Sequence, residues 1–350
     1  MAGKSFITYP AVRPLAWIYG RIMRVRNRRF DTGSTPVSTV DVPVISVGNL
    51  SVGGTGKTPM CRWLLGVLTE QGLKPAMLSR GYGRNTQGFR HVDTSSTADE
   101  VGDEPLEVFN AFDGKVPVFV CEDRVHGAQR MLQHDRSINV IVLDDAYQHR
   151  FLHRDINILL TDYSRLYTRD RVIPEGRLRE LPEGAARADI IIVTKCPADL
   201  GREEADALTR ELKPRERQQV FFSAIKYEPL DTDLSDKRLL IFTGIANPRP
   251  LVSHYDGKGL SMETLQFADH HRFTDRDINK VATAADKADI VITTAKDYSR
   301  LPKDIPDSLR SKLHVQRIGV EILLGQEEEV RKTISKLSTH TPSPGSGHCE

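Results

Sequence analysis

The stretch Val44-Ile45-Ser46-Val47-Gly48-Asn49-Leu50-Ser51-Val52-Gly53-Gly54-Thr55-Gly56-Lys57-Thr58-Pro59 decides the fold. A β-branched apolar run leads into a glycine-rich turn, and an apolar, helix-compatible segment from Met60 to Glu70 follows. Strand, glycine loop and helix in that order form a phosphate cradle. Glycines let backbone N–H groups turn inward onto phosphate oxygens, and the helix N-terminus adds positive potential. Lys57 is then placed to reach the outer phosphates and the Thr58 hydroxyl to hold Mg²⁺. The usual spacing wants glycine where this chain has Ser51, so the loop is expected to bend differently, with Gly48, Gly53 and Gly54 supplying freedom nearby. The nucleotide contacts expected are Ser51, Gly53, Gly54, Thr55, Gly56, Lys57 and Thr58.

Working outward, apolar runs recur at 76–79, 116–120, 140–143, 156–160 and 190–193, separated by helical patterns. This βαβ rhythm predicts a mainly parallel sheet of the P-loop NTPase type, covered by helices, with ligands at the carboxyl ends of its strands. Between Lys213 and Lys237 the chain turns charged and proline-containing, which sets a domain boundary. Strands are expected again near 239–243, 265–267, 290–294 and 313–317, with a helix over 274–287. The predicted organisation is an N-terminal helix (1–30), a nucleotide-binding domain (31–225), a smaller α/β domain (226–338) and a disordered tail (339–350) rich in Ser, Pro, Gly and Thr.

A chain of 350 residues with 39% hydrophobic residues can build two sizeable cores. Its four cysteines lack CxxC spacing, so neither a disulfide framework nor a zinc site is indicated. The net charge of +2 argues against wholesale nucleic-acid binding, yet the first thirty residues carry seven basic and no acidic side chains. There Leu15, Ile18, Ile22 and Val25 recur at helical spacing, with Arg13, Arg21, Arg24 and Arg28 on the other side. Such a helix either lies in an anionic membrane interface or packs on the protein's own core with a solvated arginine face. In the interfacial reading, Arg26 and Arg29 fall toward the apolar side and must snorkel.

The second strong site is Asn139-Val140-Ile141-Val142-Leu143-Asp144-Asp145, an apolar strand ending in two carboxylates. Beside a phosphate loop it reads as a metal-binding strand end; without one it would be an Asx turn. Thr194-Lys195-Cys196-Pro197 begins like a guanine-reading motif but has proline where aspartate belongs, which favours adenine. Gly102-Asp103-Glu104-Pro105 opens a helix, and its acids read first as capping groups. Asp269-His270-His271, set between aromatics, is either structural or functional. Arg80-Gly81-Tyr82-Gly83-Arg84 is either a flexible turn or an anion-binding loop.

Taken together, these segments resemble the tetraacyldisaccharide 4'-kinases, which phosphorylate a lipid A precursor. The likeness runs from Pro14-Leu15-Ala16-Trp17-Ile18-Tyr19-Gly20 through Gly48-Asn49-Leu50-Ser51 and Pro59 around the loop. It continues through Ser79-Arg80-Gly81-Tyr82-Gly83, Gly102-Asp103-Glu104-Pro105, Asp144-Asp145-Ala146-Tyr147-Gln148-His149 and Leu178-Arg179-Glu180. It ends with Asp269-His270-His271 and Thr294-Ala295-Lys296-Asp297. Ser51 then becomes part of the signature.

The resemblance implies ATP and Mg²⁺, a membrane-embedded acylated disaccharide substrate, and peripheral attachment to the cytoplasmic face of the inner membrane through the N-terminal helix. It implies no nucleic acid and no obligate protein partner. It puts Asp144, Asp145 and Glu180 near the metal and Asp103 as the base, with His270 holding and polarising it. Glu104, Arg80, Tyr82, Arg124, Gln148 and Arg179 become candidates for phosphate or headgroup contacts. Ala146 and Ala295 depart from the family's glycine and glutamate. The first is harmless unless the backbone there needs a positive φ; the second puts the role of its loop in doubt. A P-loop switch protein or metallochaperone, and a nucleic-acid-binding arm at the N-terminus, are the rival readings.

Overall fold

The computed structural model describes residues 12–269, 271–302 and 304–338. His270 and the expected tail at 339–350 therefore lie outside the described residues, as does the start of the N-terminal segment. In chain order the strands are β1 (Val44–Asn49), β2 (Pro75–Ser79), β3 (Arg90–His91), β4 (Val118–Val120), β5 (Val140–Asp144), β6 (Ile156–Asp162) and β7 (Ile190–Thr194). There follow β8 (Gln219–Tyr227), β9 (Leu239–Thr243), β10 (Met262–Gln266), β11 (Ile290–Thr294), β12 (Leu313–Gln316) and β13 (Ile318–Ile322).

Nine of them form one sheet in the order β13-β8-β7-β6-β1-β5-β2-β4-β3, and four form a second in the order β10-β9-β11-β12. Every pairing from β8 across to β4 is parallel; only β13 and β3, at the two edges, run antiparallel to their neighbours. The second sheet is parallel throughout.

Strand side chains alternate between faces, and the core divides accordingly. Ile45, Val47, Val140, Val142, Ile190 and Ile192 pack into one cluster with Met60, Leu64 and Leu68 of the helix after the loop. Ile141 and Leu143 turn to the opposite face with Ala128 and Met131, and Ile191 and Val193 with Ala205 and Leu208. With both faces covered, these strands read as continuous apolar runs, which is why they were legible. In the smaller sheet Leu240 and Phe242 face one cluster, Leu239 and Ile241 the other.

The expected second unit needs correction at its C-terminal end. The charged stretch at 213–237 contains the nine-residue strand β8, and the chain does not stay in the second unit to residue 338. Strand β13 returns to pair with β8, and a final helix, Glu327–Ser338, buries Val330 and Ile334 in the core of the large sheet. The smaller unit is an insertion between β8 and β13. Its two connections are tied together where Glu228 N–H donates to Arg317 O (3.1 Å) and the Gln316 amide to Glu228 O (2.8 Å).

The N-terminal helix, Val12–Asp31, packs on the protein's own core and leaves its apolar stripe exposed. Ala16, Gly20 and Phe30 bury against the large unit, while Leu15, Trp17, Ile18, Ile22 and Val25 stay exposed. Arg26 does not snorkel. Its guanidinium turns inward, donating to Gln148 O at 2.8 Å. Among the described residues no helix is long and apolar enough to cross a membrane.

Gly48 illustrates a position fixed by packing rather than by flexibility. A Cβ there would lie 2.8 Å from Tyr147 Cβ and 2.9 Å from Tyr147 N, closer than van der Waals contact permits. Gly48→Ala is therefore expected to cost about 1–3 kcal/mol through overpacking. A denaturant midpoint unchanged from wild type would contradict this account of the contact.

Candidate active site

Strand β1 delivers the chain into the loop, and the next helix (Lys57–Glu70) begins on its lysine. Pro59 sits in the first turn, where its missing N–H is not needed. Gly53 (φ 110°) and Gly56 (φ 84°) occupy the left-handed region that only glycine enters at no cost, so the backbone can present its N–H groups. Ser51 is different: it forms an extended bridge with Leu178, and Val52 N–H donates to Arg177 O at 2.7 Å. A serine at that place is thus a strand-like residue, not a turn that lacks its glycine.

The loop is held from inside. Asn49 donates to Thr55 Oγ1 at 2.6 Å, and Thr194 Oγ1 to Thr55 O at 2.9 Å. Lys195 Nζ bonds Gly54 O and also reaches Asp162 Oδ2 at 2.8 Å. The Thr194-Lys195 pair at the end of β7, which looked like a failed base-reading motif, is a brace for the phosphate loop.

At the end of β5, Asp144 is buried and Asp145 half-buried. Asp144 accepts from Ser79 Oγ (3.1 Å) and from Cys61 Sγ (3.6 Å), both uncharged donors. Burial and the neighbouring Asp145 push its carboxyl above the ordinary range, which Lys57 and Arg124 only partly oppose. Asp145 takes the cations: Arg179 grips both its oxygens (2.8 and 3.0 Å), and Lys57 Nζ lies 3.8 Å away. Asp145 itself carries the strained backbone, with φ 48°; Ala146 is outside the left-handed region and fully buried, so the missing glycine costs nothing there.

Asp103 is the first residue of a helix, Asp103–Ala111, entered through Gly102 at φ 92°. There the helix dipole favours its ionised form. Across the cleft, Arg300 of the inserted unit bonds its Oδ2 through Nε at 3.0 Å and through a second guanidinium nitrogen. Arg300 is aimed by Asp297, a fully buried carboxylate that also accepts from Thr243 Oγ1, Thr294 Oγ1 (both 2.7 Å) and Gly244 N (3.0 Å). The Thr294-Ala295-Lys296-Asp297 loop therefore works through its last residue, and Ala295 merely begins a short helix.

Several expected residues fall elsewhere. Glu180 sits among hydrogen-bond donors: its oxygens accept from Arg187 (2.8 and 2.9 Å), Gln148 (3.0 Å) and Asn27 (2.7 Å). Three donor groups thus make four contacts with its two oxygens, one Arg187 nitrogen being shared between them. Gln148 donates its amide nitrogen to Glu180 and to Asn49 O (2.8 Å), which links the loop to the carboxylate that holds Asn27 of the N-terminal helix. His271 is engaged locally, bonding Asp277 at 3.0 Å and stacking on Phe267. Arg124 is buried, its Nε without a hydrogen-bond partner, and Arg80 and Tyr82 are exposed on the rim. Ser79, Asn49, Lys195 and Arg300 were not singled out by sequence reasoning. The Asn49, Ser79 and Lys195 positions lay in segments already noted; Arg300 carries no local signal.

Among the described residues no cluster of three metal-ligating side chains stands ready. Yet Asp144, buried without a directly bonded cation and beside a second carboxylate, is the donor set a hard divalent ion requires. The residues fit Mg²⁺, with Thr58 half-buried at the start of the helix.

Glu104 is partly buried beside Asp144, Lys57 and Asp103, and burial followed by the Asp144 charge raises its carboxyl to about 7. A raised acid binds its proton more tightly when folded, so stability falls as pH climbs from the unfolded value near 4.5 through 7. Above that window Glu104 costs up to ~3 kcal/mol. Glu104→Gln is expected to raise the melting temperature at pH 8 far more than at pH 5; equal shifts at both would refute the assignment.

The family model described as tetraacyldisaccharide-1-P 4'-kinase matches residues 8–339. The tetraacyldisaccharide 4'-kinase of Flavobacterium johnsoniae is 41% identical over 297 residues, covering 82% of this chain and 86% of that protein. That of Cytophaga hutchinsonii is 38% identical over 346 residues, covering 94% and 97%. The crystal structure of LpxK from Aquifex aeolicus in complex with ATP superposes with a TM-score of 0.73 at 28% identity, covering 93% of this chain and 97% of that one. A match of this extent, over a phosphate loop and paired aspartates in this geometry, makes the chain a member of the tetraacyldisaccharide 4'-kinase family.

Proposed function

We propose that this protein transfers the γ-phosphoryl group of ATP to the 4'-hydroxyl of a tetraacyldisaccharide 1-phosphate, a lipid A precursor. The observation that carries this reading is the meeting of three elements in one cleft: the Lys57 loop, the Asp144-Asp145 strand end, and Asp103 held from across the cleft by Arg300. A nucleotide hydrolase needs the first two. A kinase needs a carboxylate near the transferring phosphoryl group that can receive an alcohol proton, and we assign that part to Asp103.

In the mechanism we infer, the loop N–H groups and Lys57 bind the phosphates, and Arg179 orients Asp145 beside them. Mg²⁺, held by Thr58, Asp144 and Asp145, would supply charge neutralisation at the phosphate oxygens. Asp103 accepts the proton of the 4'-hydroxyl as its oxygen bonds to the γ-phosphorus; the bond to the bridging oxygen breaks and ADP leaves. Arg300 keeps Asp103 ionised before the substrate arrives, and it yields that carboxylate when the hydroxyl hydrogen-bonds in its place. His270, next to Asp269, is our proposed second partner of Asp103. Binding of ATP follows from the family's loop and supports adenine over guanine.

Exposed Leu15, Trp17, Ile18, Ile22 and Val25 support a helix lying on an anionic bilayer, which we assign to the cytoplasmic face of the inner membrane. A substrate with four acyl chains is found there. We infer neither a nucleic-acid ligand nor an obligate protein partner.

Purified protein with ATP, Mg²⁺ and detergent-dispersed disaccharide 1-phosphate should give a bis-phosphorylated lipid; ATP hydrolysis without that product would point to a switch protein or metallochaperone instead. Asp103→Ala is expected to leave the ATP Kd within a few-fold while lowering kcat at least about 10²-fold. Unchanged kcat would remove Asp103 from the mechanism. For the membrane helix, Ile18→Glu with Ile22→Glu should abolish flotation with vesicles containing phosphatidylglycerol. Both side chains are exposed, so the fold should survive, unlike a deletion to residue 30 that would strip Tyr19 and Asn27 from their partners. Retained flotation would move the attachment elsewhere.

A further inference from the structure

The nucleotide site lies at the carboxyl ends of the strands. At the opposite edge, where β6, β7 and β8 begin, a second cavity of about 800 Å³ opens between the sheet and the N-terminal helix. Asn157 and Asp189 floor it at the starts of β6 and β7; Arg24, Asn27 and Arg28 of the helix wall it. Seven arginines line it against four carboxylates.

The carboxylates are already engaged. Asp31 pairs with Arg150 (2.7 Å), Glu183 with Arg24 (3.4 Å) and Asp189 with Arg217 (3.2 Å), while Asp155 accepts from Val44 N at 2.8 Å. Among the described residues, Arg28, Arg154 and Arg215 have no carboxylate within ion-pair distance. Arg154 can offer only part of its fork, because it donates to the backbone oxygens of Ala146, Tyr147 and His149 (3.2, 3.4 and 3.0 Å). Arg187 has a buried Nε without a hydrogen-bond partner, although its other end is tied to Glu180.

Crowding of like charges has a cost. Burial, with Arg187 and then Arg150 nearby, lowers the Arg154 guanidinium to about 10. A surplus of guanidiniums facing an open volume, Arg154 half-buried and Arg28 and Arg215 exposed, is stabilised by an anion, and guanidinium forks match phosphate oxygens best. The volume suits a small headgroup, and the site is too far round the sheet to share a ligand with the phosphate loop.

We propose that this cavity binds a phosphate group at a site separate from the nucleotide and acceptor sites. Phosphate chemistry of this kind arrives either as the phosphodiester headgroup of an anionic lipid or as a free phosphate. The wall helix exposes its apolar stripe on the adjoining face, so a lipid lying against that stripe can pass its headgroup into the cavity. The site then does more than attract anionic membrane: it clips one lipid under the helix and fixes how the active-site cleft is presented to the bilayer. The proposal stands on the cavity and does not depend on the phosphoryl-transfer reading.

Arg215→Glu tests it, because Arg215 is exposed, unpaired and outside the catalytic machinery, with Arg210→Glu, equally exposed on the helix Arg202–Leu212, as the control for bulk charge. The full chain is first saturated with ATP so that the phosphate loop is filled. Binding is then measured to vesicles of phosphatidylcholine with one-fifth phosphatidylglycerol, to pure phosphatidylcholine vesicles, and by calorimetry to inorganic phosphate. A tenfold or greater loss of phosphatidylglycerol-vesicle binding in Arg215→Glu, with less than twofold loss in Arg210→Glu and no change on phosphatidylcholine, establishes the headgroup source. Loss of inorganic phosphate binding with vesicle binding unchanged establishes a free-phosphate site. Equal losses in the two variants, or no loss in either assay, overturn the site.

Discussion

Two adjacent carboxylates at the end of an apolar strand are the constraint around which this molecule is arranged. Burying Asp144 with Asp145 beside it is unfavourable unless positive charge is brought in, since neither water nor high dielectric screens them there. Lys57 and Arg179 meet that need on the Asp145 side, and Ser79 and Cys61 satisfy Asp144 with uncharged hydrogen bonds. The imbalance that remains at Asp144 is what suits the site to a divalent ion and a polyphosphate together. Burial, and then the Asp144 charge, raise the Glu104 carboxyl in the same space.

Around that centre the fold is a set of clamps. Gln148 follows the paired aspartates by a few residues and ties the loop's Asn49 to Glu180; Glu180 in turn holds Asn27 of the N-terminal helix. Tyr19 donates to Arg179 O at 2.6 Å, immediately beside the guanidinium that grips Asp145. The helix with the exposed apolar stripe is therefore mechanically continuous with the phosphate site. On the other side the inserted unit reaches in through Arg272 to Asp99 (2.9 Å) and through Arg300 to Asp103, backed by the buried Asp297. A buried ion pair of this sort contributes little net stability, because desolvation offsets its attraction. Its value is positional, since it ties the placement of the inserted unit to the charge on Asp103.

Much of this was legible from the chain alone. The central strands β1, β2, β4, β5, β6 and β7 announced themselves because, covered on both faces, they are largely apolar runs; β8, less fully buried and set in a charged stretch, was not picked out, and β10, mostly exposed, was placed three residues late for the same reason. Strand β13 and the final helix escaped because their assignment to the large sheet depends on a return crossing that no local pattern encodes. The phosphate loop and paired aspartates were readable because backbone geometry and charge demand particular residue types in a fixed order. The surroundings of Glu180 were not legible, because its motif gives its neighbours in sequence, whereas Asn27 and Gln148 reach it from distant segments and only Arg187 lies nearby in the chain.

The sequence by itself determined the parallel sheet, the phosphate loop, the acidic strand end and the amphipathic helix, since each is written within a dozen consecutive residues by periodicity or by backbone requirement. Only the tertiary structure decided which carboxylates keep an open coordination site, which arginine faces Asp103, and where unpaired guanidiniums gather beneath the helix. Those outcomes depend on which side chains from remote segments share a low-dielectric space, and pairing there is set by three-dimensional proximity rather than by spacing along the chain.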